Sequence, residues 1–283
     1  MSTTFEPILT RNVGQPNSET IRVYLQNGGY TALRKALTQT PDQLIQEVRE
    51  SGLRGRGGAG FPAGLKWGFM PQEDVVKYVC INTDEGEPGT FKDRLLVEHD
   101  PHSVIEGAII AAYAVGAQRA FIYIRGEFFL GVKRWIKAID SAYREGFLGE
   151  NILGSGYSLD MSVHRGAGAY ICGEETALIN SLEGKRGEPR IKPPYPAEIG
   201  LWGKPTLVHN VETLANIAPI VNRGAEWFKN IGTERSTGSK LFCISGHVRK
   251  RGNYELPLGT PLREIVFEHA GGMRGDKPFK ACI

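Results

Sequence analysis

The sequence is poor in cysteine and contains no C-x-x-C pair. Its four cysteines, Cys80, Cys172, Cys243 and Cys282, stand far apart along the chain. Because zinc and iron–sulfur sites require clustered thiolates, we expect no metal site of either kind in these 283 residues. In a reducing compartment the first three cysteines are expected to be buried, unpaired thiols.

Long apolar runs and a strong charge imbalance are also missing. No stretch approaches the roughly 20 apolar residues that a membrane helix needs. Residues 1–15 include Glu6 and Pro7 and lack the apolar centre of a secretory signal peptide. The formal net charge is only +3 with dispersed basic residues, which argues against nucleic-acid binding. These features predict a cytoplasmic globular protein with room for one large domain or two.

Glycine, in contrast, is concentrated between Arg54 and Trp67, where the sequence reads RGRGGAGFPAGLKW. Glycines allow several backbone N–H groups to approach one anion, and the three interleaved cations add charge-assisted hydrogen bonds to phosphate. Phe61 and Trp67 place flat apolar rings beside this glycine loop. Phosphate and ring together describe a nucleotide or a flavin. A flexible basic linker is the alternative, but linkers seldom continue directly into Phe-Pro and Leu-Lys-Trp.

The glycine spacing also satisfies the G-x-G-x-x-G dinucleotide fingerprint, which must follow a strand and open a helix. The apolar residues of 41–51, which precede the loop, recur instead at helical spacing. The context of the fingerprint is therefore wrong, and the loop is not an ordinary Rossmann turn.

Strand and helix patterns alternate beyond this loop. Apolar periodicity predicts strands at 75–81, 120–124 and 158–163 and helices at 103–115, 128–143, 176–182 and 206–220. This alternation indicates an α/β fold with a Rossmann-like parallel sheet, which binds ligands beyond the carboxyl ends of its strands. An acidic turn at 82–89 and the glycine-rich stretch 166–170 both follow predicted strands. From residue 240 the order strand, basic turn, strand and short helix indicates the start of a β-grasp (ubiquitin-like) module.

Three segments are therefore expected. Residues 1–70 comprise a loose arm over the first 20 residues, short helices near Tyr30 and Pro41, and the glycine loop. Residues 71–238 form the α/β domain, and residues 239–283 form the partial β-grasp module.

Carboxylates crowd the acidic turn and the residues just after it, at Asp84, Glu85, Glu87 and Asp93. A divalent cation, the hydroxyl groups of a ribityl or ribose chain, and plain solvent would each suit such a cluster. The calcium-loop pattern is absent, and the neighbouring phosphate loop favours hydroxyl binding.

Two further polar segments are candidates for ligand contacts. Glu174 and Glu175 stand where a helix begins; the helix dipole favours a carboxylate there by about 0.3–1 kcal/mol, which accounts for one of them but not for both. The stiff segment 192–196, KPPYP, presents a cation beside a ring and could clamp an aromatic base or simply connect two elements. No nucleophile motif is present, so redox or binding chemistry is favoured over hydrolysis.

Five motifs occur in order: RGGAGFPAGLKW from Arg56, NTDEGEPG from Asn82, GAGAYICGEETAL from Gly166, PPYP from Pro193 and NVETL from Asn210. With them the chain, from about residue 28 onward, closely resembles the NADH-binding flavoprotein subunits of respiratory complex I. Related subunits of NAD-linked hydrogenases and formate dehydrogenases belong to the same superfamily.

The resemblance implies an FMN held between the glycine loop and the strand ends, with NADH stacked on its isoalloxazine ring. The positions that match family FMN contacts are Gly55, Gly57, Lys66, Asn82, Asp84, Tyr170, Gly173, Glu174, Asn210 and Thr213. The glycine loop and the acidic turn add Arg56, Gly58, Gly60 and Glu85 as cofactor-binding candidates. The positions that match NADH contacts are Phe61, Phe69, Glu87, Glu175, Lys192 and Tyr195, and we expect Glu87 and Glu175 to act in catalysis. The family usually has phenylalanine at position 195, and the sequence leaves open whether the glycine loop serves mainly FMN or NADH.

The implied activity is that of an NADH:quinone oxidoreductase flavoprotein, in which hydride passes from NADH to FMN and electrons continue through iron–sulfur centres to quinone. The alternatives are a diaphorase subunit of a hydrogenase or formate dehydrogenase, and a nucleotide-binding assembly module without a redox role. The family's C-terminal domain, which holds a [4Fe–4S] centre, has no counterpart here, so we expect an N-terminal fragment. Expected partners are other hydrophilic-arm subunits of complex I, especially a thioredoxin-like [2Fe–2S] subunit, at the cytoplasmic face of the inner membrane.

Overall fold

A four-stranded parallel sheet lies at the centre of the protein, for which a computed structural model describes residues 5–275 and 277–283. Its strands are β1 (Tyr78–Thr83), β2 (Arg119–Ile124), β3 (Asp160–Arg165) and β4 (Thr206–Asn210). They lie in the order β3-β2-β1-β4, so the chain steps outward from β1 to β3 and then returns to the other side of β1. Such a reversal leaves a crevice at the carboxyl ends of the two strands that flank it, here β1 and β4.

Helices surround this sheet and supply most of the core. They are α1 (Ile21–Gln26), α2 (Thr31–Ala36), α3 (Pro41–Glu50), α4 (Ala63–Gly68), α5 (Lys92–His99), α6 (Pro101–Val115), α7 (Phe129–Arg144), α8 (Glu175–Leu182), α9 (Val211–Ala215), α10 (Ile217–Arg223), α11 (Ala225–Lys229) and α12 (Leu262–Glu264). Helix α6 is apolar on almost every side and is buried over nearly its whole length, as expected of a helix at the centre of a core. Helix α7 buries only one face, through Trp135, Ile139 and small residues.

The carboxyl-terminal part is a smaller antiparallel unit. Strands β5 (Gly232–Thr233) and β6 (Ser236–Thr237) form a short hairpin, and β7 (Ser239–Ile244) pairs with β8 (Gly252–Pro257). Helix α12 and a π-helical turn, Ile265–His269, follow. Val248, Val266 and Ala270 form a small apolar cluster of its own. The order strand, turn, strand and helix confirms the fold class predicted from the sequence, while the predicted domain boundaries at 70 and 238 stay predictions.

One predicted element is wrong. Residues 206–220 are not a single helix, because Thr206–Asn210 is strand β4 and the helical part is divided into α9 and α10. Thr206 and Val208 are β-branched and buried, and β4 fills the open side of β1. One further boundary differs from the prediction: β1 begins at Tyr78, and the exposed Val75 and Val76 lie before it.

The expectation of a loose arm over residues 1–20 is also wrong where the structure describes it; residues 1–4 lie outside the described part. Ile8 and Leu9 are buried. The amides of Ile8, Leu9 and Thr10 donate to the carboxylate of Glu255 on β8 at 2.9–3.0 Å. A carboxylate from the far end of the chain thus holds the arm in place.

A second buried carboxylate, Glu106 on α6, joins three elements inside the core. Its Oε2 accepts from the Tyr24 hydroxyl and from the Tyr30 amide, and its Oε1 accepts from the Leu33 amide. Burial raises the pKa of Glu106, and these donors act in the opposite direction. Both carboxylate oxygens have hydrogen-bond partners, so this cluster is closed.

Candidate functional site

A cleft of about 530 Å³ opens at the carboxyl ends of β1 and β4, where the reversal of strand order places it. Its volume lies within the roughly 300–1,000 Å³ of ligand sites in proteins. Of the residues proposed from the sequence, it is lined by Gly55, Arg56, Gly57, Gly58, Asn82, Asp84, Glu85, Glu87, Tyr170, Gly173, Glu174 and Asn210. The structure therefore brings together residues from the glycine loop, the acidic turn and the segment after β3.

The glycine loop forms one wall because its two ends are joined. Gly55 donates its amide to the Phe61 carbonyl at 2.9 Å, and Arg54 pairs with Pro62 in a short antiparallel bridge. Gly57 packs against β4, where a Cβ would lie 2.8 Å from the Cβ of Asn210, so this position requires glycine. The amides of Gly57 and Gly58 donate to no carbonyl or side chain in the described ranges 5–275 and 277–283. The loop thus offers two free N–H donors beside the cleft.

Arg56 does not present its guanidinium in the way that the sequence suggested. Its Nη atoms donate to the carbonyls of Arg54, Thr237 and Ser239 at 2.9–3.0 Å, and the residue is only 5% exposed. Its Nε is buried without a protein acceptor. The Arg56 amide donates to Thr213 Oγ1 at 2.8 Å, so Thr213 supports the loop from behind instead of lining the cleft.

The acidic turn forms the opposite wall. Asn82 holds two segments, since its Oδ1 accepts from the Asp84 amide at 3.0 Å and its Nδ2 donates to the Gly173 carbonyl at 2.8 Å. The Oδ2 atom of Asp84 is buried and has no hydrogen-bond partner among the described residues. Burial raises the pKa of Asp84 to about 6, although Arg125 acts against this rise. Because Asp84 also lines the cleft, this free acceptor is available to a ligand.

Glu85, also proposed as a cofactor contact, has mainly a local role. Its carboxylate accepts from the amides of Lys92, Asp93 and Arg94 at 2.9–3.1 Å and so caps the first turn of α5. Burial raises the pKa of Glu85 to about 7. Part of the residue still lines the cleft, but neither of its oxygens is without a partner.

Glu174 and Glu175 belong to one ionic network with two lysines. Glu174 caps α8 through the amides of Thr176 and Ala177, and Lys192 Nζ lies 2.9 Å from both glutamates. Lys66 Nζ lies 2.7 Å from Glu175 Oε2 and donates to the Val208 carbonyl at 2.9 Å. Burial alone would raise the pKa of Glu175, and the two ammonium groups lower it below its usual value. Lys66, Glu175 and Lys192 thus lie together just outside the cleft lining.

The aromatic candidates are exposed at the rim. The rings of Phe61 and Phe69 are 48% and 61% exposed, with centroids 6.0 Å apart. The hydroxyl of Tyr170, which lines the cleft, donates to Glu87. Tyr195 is exposed as well and does not line the cleft, and neither does Gly60.

Sequence reasoning missed several residues of the lining, namely Gly86, Thr90, Lys92, Ile171 and Lys240. Lys92 is buried at the cleft floor, with Nζ 2.7 Å from Asp93 and 2.9 Å from Glu212. Asn210 joins them through its Nδ2, which donates to Asp93 Oδ2 at 2.6 Å. Glu212 lies 120 positions from Lys92, so no local motif signals this pairing.

The cysteines are all unpaired; Cys80 and Cys172 are buried as expected, whereas Cys243 is only half-buried and Cys282 is exposed. In the part of the chain that the structure describes, no group of three or more His, Cys, Asp or Glu side chains is placed to hold a metal ion. None of the helices in that part has the length and apolar character to cross a membrane.

Comparison with known proteins gives two family matches. The Nuo51 FMN-binding domain matches residues 48–219, and the SLBB domain matches residues 241–282. The F 2 subunit of the NADH-quinone oxidoreductase of Rhizobium meliloti (strain 1021) is 56% identical over 281 residues, 99% of this chain and 67% of that protein. The F subunit of the NADH-quinone oxidoreductase of Aquifex aeolicus (strain VF5) is 56% identical over 276 residues, 98% of this chain and 65% of that protein. Among solved structures, the NAD+-reducing [NiFe]-hydrogenase in its H2-reduced state matches with a TM-score of 0.82 and 40% identity, over 96% of this chain and 44% of that chain.

Proposed function

The chain belongs to the family of the Nuo51 FMN-binding domain, and on that premise we propose that its cleft binds FMN and presents it to NADH. The observation that carries the proposal is the complementary chemistry of the two walls. Gly57 and Gly58 offer N–H donors, and Asp84 offers a buried oxygen, that no group among the described residues uses. A ligand with a phosphate at one end and hydroxyl groups in its chain would satisfy both walls.

FMN would supply the hydride acceptor and the means to release electrons one at a time. The protein would hold and orient the cofactor. Asn82 holds the acidic turn against Gly173, and Asp84 would accept hydrogen bonds from ribityl hydroxyls. Thr213 fixes the glycine loop through the Arg56 amide at 2.8 Å, which keeps the free amides beside the cleft. Glu85 also lines the cleft, whereas Lys66 and Gly60 do not and would lie behind these contacts.

NADH would enter over the exposed rim. Phe61 and Phe69 offer apolar faces for stacking, and both are exposed enough to meet a ring from solvent. Glu87, which accepts from Tyr170, would receive the ribose hydroxyls. Glu175 and Lys192 pair with each other at 2.9 Å, and Lys192 would turn toward the nucleotide phosphates when they arrive. Tyr195 would close the outer side.

This chain spans about two thirds of the length of the relatives described above. For the whole protein we propose the activity that their names state, the oxidation of NADH with quinone as the final acceptor. Other subunits of such an oxidoreductase would receive the electrons. We propose a thioredoxin-like [2Fe–2S] subunit as the first of these partners. The site itself would lie in the cytoplasm, attached to the inner membrane through the complex.

A second candidate is the diaphorase subunit of a hydrogenase, and the likeness to the NAD+-reducing [NiFe]-hydrogenase favours it. The cleft would act in the same way in both proteins. The two differ in the electron acceptor, so isolation of the chain with its natural partners separates them: quinone reduction supports the first and hydrogen-linked NAD+ reduction supports the second.

The direct test is an anaerobic titration of the purified chain, first with FMN and then with NADH. We expect one FMN per chain, followed by loss of the oxidised flavin absorbance on addition of NADH. Failure to bind FMN would refute the proposal. Binding of FMN without reduction by NADH would instead support a nucleotide-binding module with no redox role.

A further inference from the structure

We propose that Lys240 is the residue by which this cleft distinguishes FMN from riboflavin, because its ammonium group binds the phosphate. The inference rests on the proposed function, since it requires that the cleft holds a flavin. It assigns a specificity role to a residue of the carboxyl-terminal unit, outside the α/β sheet.

The backbone around Lys240 is fixed against the cleft. Lys240 is the second residue of β7 and lines the cleft although β7 belongs to a different sheet. The carbonyl of Ser239 accepts from Arg56 Nη2 at 3.0 Å, and the amide of Leu241 donates to Glu212 Oε1 at 2.8 Å. Because both neighbours are held by residues of the cleft floor and the glycine loop, the side chain between them has a defined place.

Among the described residues, Lys240 is a cation that forms no ion pair. Within the described ranges no carboxylate oxygen lies within 4 Å of its Nζ, and no protein acceptor receives a hydrogen bond from it. Lys92, in contrast, is paired with Asp93 and Glu212. Burial lowers the pKa of Lys240, the carboxylates of Glu212 and Asp93 raise it, and the positive charges of Lys92 and Arg56 lower it. An anion at this point would relieve the unpaired charge.

The charge of the two walls places a phosphate on this side. The opposite wall carries the carboxylates of Asp84, Glu87 and Glu174, which would repel a dianion. The glycine loop lies beside Lys240, because Arg56 Nη2 donates to the Ser239 carbonyl at 3.0 Å, and Gly57 and Gly58 follow Arg56 in that loop. Arg56, which is 5% exposed and lines the cleft, adds a buried Nε without an acceptor. Two amides, one ammonium group and one spare guanidinium N–H are donors that suit phosphate oxygens.

Riboflavin provides the test, because it has the ring and the ribityl chain of FMN but lacks the phosphate. Affinities of the full chain for both flavins are measured by quenching of flavin fluorescence, in the wild type and in Lys240→Met. Loss of a charge-assisted hydrogen bond should weaken FMN binding about ten- to hundredfold. Riboflavin binding should change less than about twofold, because riboflavin has no phosphate for Lys240 to bind.

Two further variants control for side effects. Lys240→Arg keeps the charge and should recover most of the FMN affinity. Lys137→Met removes an exposed lysine of α7 and should change neither affinity. A competition experiment with inorganic phosphate needs only the wild type and is therefore independent of how well a variant folds. Inorganic phosphate should compete with FMN and leave riboflavin binding unchanged.

An equal loss of FMN and riboflavin affinity in Lys240→Met would overturn the assignment, because Lys240 would then hold the ring or the fold of the cleft. Unchanged FMN affinity would overturn it as well, and so would a failure of inorganic phosphate to compete with FMN. In each of these cases the cleft still binds flavin and the proposed function stands. A wild type that binds neither flavin would refute the proposed function and this assignment with it.

Discussion

The carboxylates Glu106 and Asp84 both carry buried oxygens, but they differ in how those oxygens are used. Glu106, in the core, has a donor at each oxygen: a hydroxyl and two backbone amides. Asp84, at the cleft, has one buried oxygen with no protein donor. A satisfied buried carboxylate stabilises a fold, whereas an unsatisfied one costs stability and persists where a ligand completes it. For Asp84 the unpartnered oxygen coincides with a place in the cleft lining, and that combination supports a binding role.

The largest effect, on the free energy of unfolding, should follow from removal of the Glu106 carboxylate. Glu106→Ala would leave two buried amides and a hydroxyl without an acceptor, and we expect a loss of about 3–5 kcal/mol in the free energy of unfolding. Urea denaturation measures it. Glu106→Gln keeps one acceptor oxygen and should cost less. If Glu106→Ala loses under about 1 kcal/mol, the closed cluster is not what joins α6 to the first helices.

The next effect concerns the glycine loop, which forms the wall of the cleft with free N–H donors. In Gly57→Val the new Cβ would lie 2.8 Å from the Asn210 Cβ, so the loop must shift and its amides must move away from the ligand. We expect FMN affinity to fall roughly ten- to hundredfold, measured by fluorescence quenching. Gly68→Val is the matched control, because a Cβ there meets nothing within 4 Å. Full FMN affinity in Gly57→Val would show that the loop does not hold the flavin.

A smaller effect, an increase in stability instead of a loss, is expected at Asp84. Its folded-state pKa of about 6 exceeds the value of 3.8 for a free carboxyl, so the fold prefers the protonated form. The stability that the proton confers is fully present below about pH 4 and is lost as pH rises through 6. Asp84→Asn should therefore raise the free energy of unfolding of the flavin-free protein at pH 7 by about 1 kcal/mol after allowance for solvent screening.

The same variant provides its own control through pH. At pH 4 the carboxyl is already largely protonated, so the difference between Asp84→Asn and the wild type should disappear. Chemical denaturation at both pH values gives the comparison, and FMN affinity at pH 7 should fall because the ionised acceptor is gone. Equal stability of the two proteins at pH 7 would mean that the Asp84 oxygen is satisfied by solvent.

The smallest effect is expected at the rim, where Glu87 would lie near the adenosine ribose. A carboxylate there repels the 2′-phosphate of NADPH, and Glu87→Gln should raise the ratio of NADPH to NADH kcat/KM by roughly two- to tenfold. Dye reduction by the FMN-loaded chain measures it. Tyr170→Phe removes the hydroxyl that Glu87 accepts from but keeps the charge, so it should leave the ratio unchanged. An unchanged ratio in Glu87→Gln would place this residue away from the 2′ position.

Much of the fold could be predicted because its signals are local. Strand β1 follows from a β-branched and aromatic run, β2 and β3 follow from apolar patterns, and α6 and α7 follow from helical spacing. Strand β4 could not be separated from α9, because Thr206–Asn210 carries apolar residues that suit either structure and pairs with a strand more than 120 positions earlier. At that point the pairing with β1, and not the local sequence propensity, determines the structure.

The candidate site divides in the same way. Residues within one motif, such as Asn82 and Asp84, could be proposed from the sequence, and they line the cleft. Side-chain direction could not be proposed: Arg56 turns toward carbonyl groups at 237 and 239, and Lys66 turns toward Glu175. Lys240 carries no motif of its own, and only the packing of β7 beside the glycine loop brings it to the cleft.

The hold of Glu255 on the first residues bears on how the chain assembles during synthesis. The amides of Ile8, Leu9 and Thr10 reach their acceptor only across 245 to 247 positions. The chain must therefore be synthesised as far as β8 before the segment 8–10 can take this position, even though domains generally begin to fold from the amino-terminal end. Until then this segment remains accessible to chaperones and proteases. Its amides become hydrogen-bonded to Glu255 only when β8 is in place.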